Sequence, residues 1–112
     1  MGCRLHYETR HVIEYSYDTL GNYDHDAIAD VLSENNVQTY TEEEFDGYYS
    51  DNFHCDKSAI ESLVKSLRKL NPDDKACDRG DFFMSNKEVA DFFESALKNC
   101  EKDSDYIFFS WF

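Results

Sequence analysis

Between His11 and Asp56 the chain has no lysine and no arginine. Those forty-six residues hold twelve Asp and Glu. After Asp56 the balance changes to eleven acids against nine bases. Long apolar runs are missing too, which argues against a membrane-spanning helix. The first residues, MGCRLHYETR, turn polar at once and do not follow the secretory pattern. Met1-Gly2-Cys3 begins like a lipidation site, but His6 stands where myristoylation requires Ser or Thr. The four cysteines, Cys3, Cys55, Cys77 and Cys100, form no CxxC pair. Reduced thiols in the cytoplasm are therefore expected, not a disulfide framework.

Motifs of catalysis are missing as well. There is no nucleophile elbow, no phosphate-binding glycine loop and no HExxH. Asp24-His25-Asp26 sits at an expected helix start, where a histidine beside carboxylates can act as a base. Sequence neighbours diverge on a helix, however, and Asp at a helix start is ordinary capping. No enzyme activity is expected. The nearest metal-ligand pairs are Cys3/His6 and His54-Cys55, without the close double pairs of structural zinc sites. Glu42, Glu44, Asp46 and Gly47 match the opening of a calcium loop, but Phe53 occupies the place of its bidentate acid. No cofactor or metal is expected. A net charge of −13 repels phosphate, so direct binding to nucleic acid is not expected either.

What is present is a single 112-residue domain, residues 1–112, with 16% aromatic residues and hence a ring-rich core. Residues 3–17 alternate as one long strand or two short ones, and Gly21-Asn22 marks a turn over 19–23. Ala27, Ile28, Val31 and Leu32 share a face of a helix over 25–35, ended by Asn35-Asn36. Short strands follow at 37–40 and 48–55. Ile60, Leu63, Val64, Leu67 and Leu70 form the stripe of a helix over 57–70, capped by Asp56 or Ser58 and stopped before Pro72. Ser85 and Glu88 form a capping box for a last helix that buries Val89, Phe92, Phe93, Ala96, Leu97 and Cys100. The ending YIFFSWF reads as a strand apolar on both faces. Such a strand lies at the centre of a sheet or at a dimer interface. The expected fold is α+β: a small, mostly antiparallel sheet holding the N- and C-terminal strands, with about three helices packed on it.

The stretch TYTEEEFDGYYSDNF, residues 39–53, concentrates the acid. A solvated surface is the plain explanation, yet solubility needs a net charge of only about 2 to 8 in magnitude and no segregation of sign. The sharper reading is mimicry of nucleic acid. Carboxylates spaced along a surface present a field like that of phosphates to a basic groove, and aromatic rings anchor the contact. The candidate partner-binding residues are Glu42, Glu43, Glu44, Phe45, Asp46, Tyr48, Tyr49 and Asp51, with Asp24, Asp26 and Asp30 as secondary contributors.

The ends of the chain, MGCRLHYE and DSDYIFFSWF, resemble those of small acidic proteins carried by bacterial phages and mobile elements. The resemblance transfers no functional residues. It implies a bacterial host cell and a protein partner: a basic nucleic-acid-binding nuclease or CRISPR effector, inhibited in the manner of anti-restriction and anti-CRISPR proteins. Two other expectations stand beside it. One is a homodimer sequestering a small anionic nucleotide through Arg4 or Arg10, and the other is a metal-binding regulatory domain.

Overall fold

The computed structural model describes residues 4–10, 14–21, 25–41, 52–77 and 84–111. The elements run β1 (Arg4–Arg10), β2 (Glu14–Gly21), α1 (His25–Glu34), β3 (Tyr40–Thr41), β4 (Asn52–Asp56), α2 (Lys57–Arg68), α3 (Asn86–Asn99) and β5 (Tyr106–Trp111). The strands form one antiparallel sheet in the order β2-β1-β5-β4-β3. The fold is α+β, with the N- and C-terminal strands paired at its middle.

β5 is the central strand because it alone is rich in large apolar residues on both faces. Leu5 and Tyr7 of β1 lie opposite Trp111 and Phe109, while Phe53 and Cys55 of β4 lie opposite Phe109 and Ile107. Strand alternation puts Leu5, Tyr7, Phe53, Cys55, Ile107 and Phe109 on one face. There they meet Ile60, Leu63, Val64 and Leu67 of α2 and Val89, Ala90, Phe92, Phe93 and Ala96 of α3 in one buried cluster. Rings carry much of it. Phe109 stacks on Phe53 with centroids 5.1 Å apart and meets Phe93 edge-on at 5.7 Å. Each fully buried ring contributes on the order of 1.5–3 kcal/mol of hydrophobic stabilisation.

The start of the turn expected over 19–23 is corrected: Thr19 and Leu20 belong to β2, opposite His6 and Leu5, and the strand ends at Gly21. Residues 22 and 23 lie outside the described residues. Burial of Leu20, only 1% exposed, holds that strand in place. The β1–β2 register shifts on both sides of Glu8, and inside the first shift the Tyr7 N–H donates to the Ser16 hydroxyl at 3.3 Å. A side chain thus takes over from a carbonyl where the ladder is out of step.

The chain passes from β2, at one edge, to β3, at the other, through α1, whose Ile28, Val31 and Leu32 join the same core. α1 ends as its two asparagines predict. Asn36 adopts φ 60°, the left-handed value that asparagine tolerates. The Val37 N–H donates to the Leu32 carbonyl at 2.8 Å and the Asn36 N–H to Ser33 at 3.0 Å, a Schellman closure with Val37 and Leu32 both buried. α2 stops at Arg68, so Leu70, expected in its apolar stripe, is 53% exposed. α3 has the expected capping box. The Glu88 N–H donates to the Ser85 hydroxyl, and the Ser85 N–H to the Glu88 carboxylate, each at 3.1 Å.

Candidate partner-binding face

β4 divides its side chains between two environments. Phe53 and Cys55 enter the core beneath α2 and α3, so His54 and Asp56 emerge on the opposite face of the sheet. The register then fixes their neighbours. His54 lies between Tyr40 of β3 and Phe108 of β5, and Asp56 lies opposite Tyr106. The Tyr40 ring stacks on His54 with centroids 5.2 Å apart and planes 23° apart. Phe108 is tilted against His54 at 4.9 Å, and Tyr106 stands edge-on to it at 5.1 Å. Tyr106 is also edge-on to Tyr40 at 6.5 Å. Four rings from three strands thus form one patch through cross-strand pairing.

The patch is only partly covered. Tyr106 is 41% exposed, and Tyr40, His54 and Phe108 are half-buried. Nδ1 of His54 is buried with no hydrogen-bond partner. Asp56 occupies the N-cap position of α2, but its side chain makes no cap hydrogen bond. Among the described residues no cation pairs with its carboxylate. Farther along the same face, the buried Glu8 accepts a hydrogen bond from the Ser110 hydroxyl at 3.0 Å.

The eight residues singled out from the sequence, Glu42, Glu43, Glu44, Phe45, Asp46, Tyr48, Tyr49 and Asp51, lie outside the described residues, as does Asp24. Their points of attachment are described. Tyr40 and Thr41, just before residues 42–51, pair antiparallel with His54 and Phe53, just after them. The acidic stretch is therefore flanked in the chain by the two strands at the sheet edge, both of which contribute to the ring patch. Asp26 and Asp30 belong to α1.

The bases of the later helices have acids of their own. Arg68 pairs with Asp91 at 2.8 Å and with Glu94, and Lys87 reaches Asp91 at 2.8 Å. Hydrogen bonds from Lys87 and then Arg68 hold the Asp91 carboxyl below its ordinary range, and hydrogen bonds to Asp91 and then Glu94 raise the Arg68 guanidinium. Lys57 donates to the Glu101 carbonyl at 2.7 Å. The Arg68 and Lys87 pairs draw on the α3 carboxylates of Asp91 and Glu94.

Among the described residues no three His, Cys, Asp or Glu side chains converge as metal ligands. His54 and Cys55 point to opposite faces of β4. Burial, with the Asp56 charge added, pushes the Cys55 thiol up to about 12, which leaves little thiolate to bind a metal. His6 is half-buried, and desolvation lowers its pKa. A cleft of about 320 Å³ between β2 and α3 includes Glu88 and Asp91 in its wall, a poor lining for an anionic nucleotide.

Alternation within residues 52–56 was sufficient to place His54 and Asp56 on one face. That Tyr40 and Tyr106 come to meet them required the strand order, which no local pattern encodes. No protein family, curated protein or solved structure matches the chain.

Proposed function

We propose that this chain is a non-enzymatic acidic inhibitor that docks on the nucleic-acid-binding surface of a bacterial defence protein, in the manner of anti-CRISPR and anti-restriction proteins. One observation carries the reading. The cation-free acidic stretch is anchored on both sides to strands that present a partly exposed ring patch. Charge and anchoring area thus belong to adjoining segments of the chain, as a protein that occupies a groove built for phosphates and bases requires. Steering by the acidic field makes association fast and salt-sensitive, and the rings supply the contact area that charge alone lacks. The sequence resemblance to acidic phage and mobile-element proteins points the same way.

The test is affinity capture from a bacterial lysate at low and high salt, followed by competition. The expected catch is a basic nuclease or CRISPR effector that is lost at high salt and displaced by duplex DNA or RNA. The triple change Glu43→Lys, Glu44→Lys and Asp46→Lys should abolish capture while leaving the unfolding free energy within about 0.5 kcal/mol of the parent. Capture that survives both the competitor and the charge reversal would refute the reading.

A further inference from the structure

We infer that the ring patch contains a seat for an arginine side chain of the partner, formed by Tyr106, Tyr40 and Asp56. The inference rests on the docking reading and adds to it which cation is recognised. Tyr106 is the most exposed ring of the patch, and it stands edge-on to Tyr40 with centroids 6.5 Å apart. Asp56 is its direct cross-strand partner, on the same face of the sheet. In such a pair the Cβ atoms are about 5 Å apart, so a carboxylate and a ring face lie within reach of one planar cation. That carboxylate neither caps α2 nor pairs with a cation among the described residues, although it stands at a helix start where capping is its usual task.

The chemistry favours arginine. A guanidinium is flat, so it can lie against a tyrosine while its N–H fork addresses a carboxylate through two parallel hydrogen bonds. A lysine ammonium is a more strongly hydrated point charge and gains less from either contact. A nucleobase would also stack on such rings, as bases do on aromatic sheet faces. Its phosphates would bring negative charge to a molecule of net charge −13, on strands that flank the acidic stretch in the chain. Charge complementarity therefore selects a basic protein surface as the occupant, and arginine-lined grooves are common in proteins that hold nucleic acid.

The experiment compares fluorescently labelled hexa-arginine, hexa-lysine and deca-thymidylate on the full chain at moderate salt. The arginine peptide is expected to bind about fivefold tighter than the lysine peptide, the scale of an exposed cation–π contact. Tyr106→Leu should bring that ratio close to one while leaving the lysine peptide within about twofold, because net charge is unchanged. Tyr106→Phe should keep the preference. Asp56→Asn should weaken the arginine peptide more than the lysine peptide. Because Tyr106 is exposed, circular dichroism and the urea midpoint should confirm that its variants fold. Equal, salt-sensitive binding of the two peptides would overturn the arginine seat and leave the docking reading standing. Failure of both peptides to bind would overturn both, and binding of deca-thymidylate alone would make the patch a base-stacking surface.

Discussion

The Tyr7 hydroxyl lies 2.9 Å from the hydroxyl of Ser95 and accepts a hydrogen bond from the Asn99 amide at 3.2 Å. It joins β1 to α3 through a polar contact at the rim of an otherwise apolar interface. The ring itself is 2% exposed and tilted against Phe92 at 5.6 Å. Tyr7→Phe keeps that packing and removes only the oxygen, while the Asn99 amide keeps its bonds to the Ser95 carbonyl at 3.0 Å and hydroxyl at 3.3 Å. The expected loss is about 0.5–1.5 kcal/mol. It should appear as a lower urea midpoint with an unchanged slope.

Asp91 gives α2–α3 packing an acid limb. Lys87 and Arg68 depress its folded pKa below the ordinary 3.8, so near that pH the folded chain binds fewer protons than the unfolded one. Its contribution is complete above the unfolded value and is lost as pH falls through the lower folded value. Because the Asp91 side chain is 47% exposed, solvent screening limits the effect to less than about 1 kcal/mol. Asp91→Asn should therefore lower the urea midpoint slightly near neutral pH. The gap should narrow in molar salt and close as the solution is acidified below the folded pKa. A gap that persists in acid would assign the loss to packing and not to charge.

Cys55 should report on unfolding. With the thiol pushed up to about 12 from an ordinary 9.0, its thiolate fraction in mildly alkaline solution falls about a thousandfold. The thiol is also fully buried, so a thiolate-directed reagent reaches it only when β4 opens. Peptide mass mapping after brief alkylation should find Cys55 unmodified in native protein and modified once urea passes the unfolding midpoint. Rapid native labelling would mean that β4 opens locally from the sheet.

Local patterns in the sequence were reliable where one residue or one period decides the outcome. Ser85 and Glu88 are three apart, and that spacing alone builds the capping box. Asn36 closes α1 because asparagine accepts a left-handed backbone. The stripe of α2 was legible at Ile60, Leu63, Val64 and Leu67 and failed only at Leu70, beyond the last helical turn. The two apolar faces of residues 106–112 pointed to a central strand, and β5 is central. The turn expected over 19–23 began too early, because the buried Leu20 keeps Thr19 and Leu20 in a strand that ends at Gly21.

The candidate site divides along the same line. Its charge was visible in the one-dimensional order of residues, since a gap of forty-six residues without a base needs no structure to be seen. Its ring patch was not, because Tyr40, His54 and Tyr106 are distant in sequence and meet only through the pairing of β3, β4 and β5. By itself the sequence determined the α+β class, the helix ends and the segregation of charge, all of which follow from local backbone preference, side-chain period and composition. Tertiary structure alone decided that Asp56 faces Tyr106 and that the strands flanking the acidic stretch share an aromatic face. Strand order and register are settled by which long-range burial is most favourable, and no short window of residues carries that comparison.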